Sequence, residues 1–276
     1  MKLNKLFYLT MGLSLTMPFS HAQQNASNTA MIKTQKQHKS CVPSQIETSP
    51  DYVALKWYRD STERVAQYNQ TFTLGMEKIN AKIKNKKLKS GSWGVVMDID
   101  ETVLDNTEYQ KRYALACGEF NPQTLYSFME EEISPATPGA HNFTCGIQKL
   151  HGKVILVTNR DGAFDDKIQK STQENLKKAG ICFDNVVFAN GSNDSNKTPR
   201  FEAVNNGDYS KIISLNKQPK LNIIAYFGDN IQDFPNITQK DGIKQDPNGS
   251  YFKKFGQEYF SLPNPVYGSW THNQFN

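Results

Sequence analysis

The sequence predicts an α/β fold, a doubly wound parallel sheet with helices on both faces, and three observations carry that prediction. Four short runs, WGVVMDI (93–99), KVILVTNR (153–160), NVVFAN (185–190) and NIIAYFGDN (222–230), are apolar without the alternation of a sheet that has one wet face. A helical stretch from Asp165 to Ala179, stopped by Gly180, separates the second run from the third, as a crossover between parallel strands requires. Polar residues gather where the runs end, which is where an open α/β sheet places its ligand site.

In chain order, residues 1–22 read as a signal peptide: Lys2 and Lys5, an uncharged apolar run from Leu6 to Phe19, then Ser20-His21-Ala22 as a small-x-small cleavage site. Residues 23–48 are rich in Gln, Asn, Ser, Thr and Lys, have little to bury, and are expected to form a flexible leader. One domain is expected over 49–276. It opens at Ser49-Pro50, a cap followed by a proline in the first turn, into one long helix whose core stripe is Val65, Tyr68, Phe72 and Met76. After the first strand, residues 105–140 break the strand-helix rhythm with aromatics, acids and a closing SPATPG, and are expected to form a helical insert beside the site.

The formal net charge is +5, and loss of Lys2 and Lys5 with the signal leaves +3. That excess is too small and too spread out for binding a nucleic-acid polymer, and the basic run KIKNKKLK (82–89) reads as a solvated helix end. No second long apolar segment follows, so no membrane anchor is expected once the signal is cleaved. Cys41, Cys117, Cys145 and Cys182 lack the close spacing of a zinc or redox motif. They suit structural disulfides in an exported protein, and if all four pair, three connectivities are open. Nothing in the sequence sets the oligomeric state.

The strand ends deliver Asp98 and Asp100, then Thr158 and Asn159, then Asp229 and Asp233, while the loop SNKTPRF supplies Lys197 and Arg200. Converging carboxylates repel one another and cannot all stay ionised unless a cation neutralises them. Hard oxygen ligands of this kind suit Mg²⁺, which keeps several waters and takes phosphate oxygens besides. With a lysine, a hydroxyl and an amide nearby, the set reads as a metal-assisted phosphate site. Asp98 could attack phosphorus as a nucleophile. Asp100, two residues on and on the same side of an extended chain, could exchange protons with the leaving alcohol and with water.

DIDETVLDN, ILVTNR, SNKTPRF and FGDNIQDFP resemble, in order, the four signature motifs of the haloacid dehalogenase superfamily. The DxDET form and the closing LPNPVYGSW narrow the resemblance to the class C bacterial acid phosphatases, the lipoprotein e family, over roughly residues 52–270. The resemblance implies a haloacid dehalogenase-like Rossmannoid core with a small helical subdomain. It implies Asp98 as nucleophile and metal ligand, Asp100 as acid/base and a ligand through its main-chain carbonyl, and Thr158 and Asn159 as phosphate-binding groups. Lys197 would be the lysine of the third motif, Asp229 a metal ligand, and Asp233 the carboxylate supporting metal and lysine. Glu101 would shape the turn, and Asp105-Asn106 would either face the substrate or cap a helix.

Members of that family act on phosphomonoesters, several of them preferring 5′-nucleotides held between aromatic rings. Phe120, Tyr126 and Phe128 in the insert and Tyr267 in the tail could line such a slot here, although each ring could equally serve core packing. One departure from the lipoprotein e pattern concerns localisation. The first cysteine, Cys41, lies well past the cleavage point, so a periplasmic or secreted protein without a lipid anchor is expected. The expected function is therefore Mg²⁺-dependent hydrolysis of small phosphomonoesters. The alternatives are phosphotransfer to an alcohol, which uses the same residues, and a catalytically silent storage or adhesion protein on this fold, which the intact acidic set disfavours.

Overall fold

The four apolar runs form the centre of one sheet, because a strand of bare Val, Ile and Phe is stable only when both its faces are covered. In the computed structural model, which describes residues 50–114 and 121–274, β1 (Trp93–Met97) lies between β2 (Lys153–Asp161) and β5 (Asn222–Gly228) and is parallel to both. β3 (Asn185–Ala189) continues the sheet beyond β2. Two short edge strands complete the order β4-β3-β2-β1-β5-β6: antiparallel β4 (Ile213–Ser214) beside β3, and parallel β6 (Tyr259–Ser261) beside β5. With two and three residues respectively, these edges are too short to show a period in sequence. The chain winds outward from β1 to β3 and then returns to the other side of β1, so the switch point lies at the carboxyl ends of β1 and β5.

Helix α1 (Pro50–Asp60), α2 (Thr62–Lys86), α3 (Thr107–Tyr109, running into a π-turn over Gln110–Ala114), α4 (Pro122–Glu131) and α5 (Ala140–Lys149) precede β2. Helix α6 (Asp166–Lys178) crosses from β2 to β3, α7 (Thr198–Asn206) follows β3, and α8 (Gln239–Gly242) follows β5. Alternate residues of β1 feed two cores. Val95 and Met97 pack with Tyr68 and Phe72 of α2, Phe143 of α5 and Leu176 of α6. Val96 packs on the other face with Phe201 and Val204 of α7. Among the described residues no helix is long and apolar enough to cross a membrane.

The single long opening helix is corrected to two. Ser61, extended at φ −82° and ψ 139°, breaks the run, and its side chain accepts a hydrogen bond from Arg64 N. The new register turns Val65 outward, 43% exposed, and buries Arg64 instead. Arg64 tolerates burial because its guanidinium lies 4.0 Å from the Tyr58 ring centre and 5.1 Å from that of Tyr68, and bonds Asp105 at 2.8 Å. Of the cysteines, Cys145 on α5 is bridged to Cys182 after α6, closing a separation of 37 residues. Loop-closure entropy for such a span corresponds to about 4 kcal/mol. Residues 1–48, with the expected signal and leader, and Cys41, Cys117 and Phe120 lie outside the described residues.

Candidate active site

The end of β1 sets the first half of the site. Asp98 extends the ladder, donating its backbone N–H to Phe227 O at 2.9 Å. The chain then folds into a tight turn in which Ile99 O accepts from Val103 and Leu104 and Glu101 takes a positive φ of 55°. That conformation is strained for a residue with a side chain, and it is held by three contacts. Tyr58 and Tyr68 donate their hydroxyls to the Glu101 carbonyl, and the Glu101 carboxylate accepts from Asn106 N at 2.7 Å. Asp105 is likewise architectural, accepting from Arg64 and from the Thr107 N–H at 2.9 Å.

β5 and the loop before α7 supply the second half. Lys197, 3% exposed, pairs with Asp98 and, at 2.7 Å, with Asp233. Asp233 can reach back because Gly228 has no side chain, and a Cβ there would overlap the Asp233 carboxylate. Asp98, Asp229 and Asp233 each bring one carboxylate oxygen within 4.8 Å of the others. Asp229 is oriented by donors from Thr102 Oγ1 at 3.1 Å and Asn264 Nδ2 at 2.9 Å. Burial pushes the Asp98 carboxyl well above its usual range, Lys197 opposes the shift, and Asp233, Asp229 and Asp100 reinforce it. Burial and Asp233 push Asp229 up to about 7. Burial disfavours the Lys197 ammonium, but Asp233 and Asp98 outweigh that effect and raise its pKa.

Three clustered carboxylates thus meet one ammonium, which pairs with two of them, and the cluster offers only hard oxygens as ligands. Such a set fits a divalent cation that prefers oxygen ligands. Asp98, Asp229 and Asp233 are the side chains that could hold it, and Asp233, expected to support metal and lysine, also pairs with Lys197.

Asp100 belongs to a different neighbourhood. Its carboxylate, 25% exposed, is forked by Arg160 at 2.8 and 3.1 Å and accepts from Asn106 Nδ2 at 2.7 Å. Burial opposes ionisation there, but Arg160 and Asn106 more than offset it and hold the carboxyl below its ordinary pKa. Thr158 Oγ1 lies 3.5 Å from Asp100 Oδ2. Asn159 is exposed, with its side-chain carbonyl accepting from Arg200 at 2.8 Å. Arg200 is 1% exposed and also donates to Thr158 O and Asp194 O, so it ties the β2 end to the lysine loop.

The fold brings Asp98, Asp100, Thr158, Asn159, Lys197, Asp229 and Asp233 to one edge of the sheet. The aromatic expectations fare differently. Phe128 is 1% exposed and its ring packs 5.7 Å from Tyr109, so the insert's interior claims it and no face is offered to a ligand. Tyr126 is also buried, 4.4 Å from Phe164. Tyr267 is half-buried in a tail turn whose Asn264 accepts from the Tyr267 N–H and donates to Asp229. Sequence reasoning missed Arg160 and Asn264 as site residues. Both lay in quoted motifs, and an arginine closing an apolar strand run was the available signal for the first.

A profile described as HAD superfamily, subfamily IIIB (Acid phosphatase), matches residues 12–270. Among curated proteins, Acid phosphatase 1 of Solanum lycopersicum is 28% identical over 103 residues, which span 37% of this chain and 39% of that protein. The matched part is thus about two fifths of the relative's length. Among solved structures, the class C acid phosphatase of Bacillus anthracis superposes with a TM-score of 0.63 at 24% identity, covering 80% of this chain and 86% of that one. A second structure of the same Bacillus anthracis enzyme, with tungstate bound, matches equally, with a TM-score of 0.63 and 24% identity. These two likenesses concern the fold, whereas the profile spans nearly the whole described chain: the protein belongs to the haloacid dehalogenase superfamily, subfamily IIIB, the acid phosphatases.

Proposed function

We propose that the protein is an exported, Mg²⁺-dependent acid phosphatase that hydrolyses small phosphomonoesters, 5′-nucleotides among them, through a phosphoaspartate on Asp98. The observation that carries the reading is the cluster of Asp98, Asp229 and Asp233, in which Lys197 pairs with Asp98 and Asp233 alone. An oxygen-liganded divalent cation supplies charge neutralisation for the carboxylates and for the phosphate oxygens when bound. Family membership supports the phosphatase chemistry, and the tungstate bound to the Bacillus anthracis relative, a tetrahedral oxyanion, fits the same role. The Cys145–Cys182 bridge supports an oxidising compartment, in keeping with the signal-like start of the sequence. Support for nucleotides is the tail turn, which holds Tyr267 one hydrogen-bonded residue away from Asp229.

Lys197 holds Asp98 in place at the tip of β1 and offers positive charge to the incoming phosphate. Asp98 attacks phosphorus as the ester oxygen departs, and Asp100 delivers a proton to that oxygen. Arg160 keeps free Asp100 ionised, but the negative charge of a bound phosphate beside it favours the protonated form, most readily at acid pH. Once the alcohol has left, Asp100 takes a proton from water, and the water attacks the phosphoaspartate, returning Asp98 and releasing phosphate. Thr158, beside Asp100, and Asn159 on the same strand are assigned as donors to the non-reacting phosphate oxygens.

The test is Asp98→Asn, assayed on an aryl phosphate and a nucleoside monophosphate with Mg²⁺ and after complete chelation. The variant is expected to lose at least about a thousandfold in kcat with its fold intact. Wild-type turnover in the variant sinks the nucleophile assignment, and full wild-type activity after chelation sinks the metal assignment.

A further inference from the structure

Helix α6 buries three polar side chains, Ser171, Thr172 and Asn175, and the last two lie one turn apart. Thr172 is 0% exposed and Asn175 3%, on the face that also buries Ile168 and Leu176. Buried hydroxyls and amides destabilise a fold unless they are bonded, so their partners are informative. Thr172 Oγ1 accepts from Arg160 Nη1 at 2.9 Å, and Arg160 forks onto Asp100. Asn175 bonds both backbone groups of Ser134, accepting from its N–H at 3.2 Å and donating to its carbonyl at 2.7 Å. Ser134 Oγ donates to Asn106 Oδ1 at 2.7 Å, which leaves the Asn106 amide nitrogen to donate to Asp100 Oδ1, also at 2.7 Å.

We infer that helix α6 is the positioning element for Asp100, acting through two buried arms, Thr172–Arg160 and Asn175–Ser134–Asn106. The arms grip the carboxylate asymmetrically. Oδ1 accepts from Asn106 at 2.7 Å and from Arg160 at 2.8 and 3.1 Å. Oδ2 has only the longer contacts, 3.3 Å to Arg160 Nε and 3.5 Å to Thr158. Three good donors on one oxygen fix the rotation of the group and leave the other oxygen only weakly engaged by the protein. Each arm also fixes a donor: the hydroxyl of Ser134 occupies the Asn106 carbonyl and so sets which end of that amide faces Asp100. Arg160, Asn106, Ser134, Thr172 and Asn175 are all buried, so neither arm is screened by solvent.

The inference rests on the reading of Asp100 as the proton-exchanging group, and the experiment separates the two. Ser134→Ala and Thr172→Val each remove one hydroxyl that links an arm to the residue touching Asp100, and leave every group near phosphate in place. Both are compared with Asp100→Asn, on an alkyl phosphate and on an aryl phosphate with a good leaving group. Each arm variant is expected to lose about tenfold in kcat on the alkyl ester, less on the aryl ester, with KM little changed. In the Asp100→Asn background both are expected to have no further effect on aryl-ester turnover, because they act through Asp100. A merely structural role would lower stability and turnover in both backgrounds alike. Wild-type kcat in both folded arm variants, or an undiminished loss in the Asp100→Asn background, overturns the inference. Wild-type alkyl phosphatase activity in Asp100→Asn overturns the underlying reading of Asp100 instead.

Discussion

The two sides of β1 solve the same electrostatic problem in opposite ways. Toward β5, Asp98, Asp229 and Asp233 cluster around one ammonium, that of Lys197, which pairs with Asp98 and Asp233 and leaves the cluster short of positive charge. Toward β2, the single carboxylate of Asp100 meets a whole guanidinium and an amide. The first side is therefore built to accept a cation from outside, and the second is complete with the protein's own groups. A strand that ends in two aspartates two residues apart gives each a different chemistry because the neighbouring strands differ.

The most severe way to break the contrast is Lys197→Ala, which leaves Asp98 and Asp233 buried with no ammonium. Urea unfolding in chelator is expected to show a loss of about 3–5 kcal/mol, since an abandoned buried charge is far costlier than the pair is favourable. A divalent cation should then stabilise the variant more than it stabilises the wild type. Equal stabilisation of the two proteins would show that cation and lysine do not serve the same carboxylates.

A smaller effect sharpens the contrast through pH. Asp229 titrates near 7 in the folded chain, against 3.8 as an ordinary aspartate. A carboxyl whose pKa is raised by folding favours the folded state at low pH, and that contribution disappears as pH rises from about 4 through about 7. The metal-free protein is thus expected to melt roughly 5 °C lower at pH 7.5 than at pH 5.5, and added Mg²⁺ to stabilise it most above pH 7. Differential scanning fluorimetry at both pH values, with and without Mg²⁺, reads this directly. A larger Mg²⁺ effect at pH 5.5 would contradict it. The smallest effect expected is that of Asn264→Ala, which frees one Asp229 oxygen: cation affinity by calorimetry should fall about tenfold, with kcat restored at saturating cation.

The sequence showed the sheet because bare Val and Ile runs have few alternatives, and it showed the acidic set because the residues stand at strand ends. It showed less where tertiary context reassigns a side chain. Val65 was expected in the core stripe, yet a cap at Ser61 set the register that buries Arg64 instead, and two tyrosine rings made burial of the cation tolerable. Phe128 looked available to a ligand, but the insert needed it for its own small core. Arg160, Asn264, Thr172 and Asn175 were illegible as a group, because hydrogen-bonded partners 12 to 60 positions apart leave no periodic trace. The edge strands were hidden for a simpler reason, since two or three residues have no period.

The tail turn has a consequence for synthesis. Asp229 and Asp233 close the metal cluster, Asn264 steadies Asp229, and Ser269 bonds Asn230 at 2.7 Å, so the last fifth of the chain completes the site. A nascent chain that has emerged only as far as Gly228 already carries Asp98, Asp100 and Lys197 but lacks both partner carboxylates. On the proposed mechanism, such a shortened chain has the nucleophile and the lysine but no carboxylate pair with which to hold the cation.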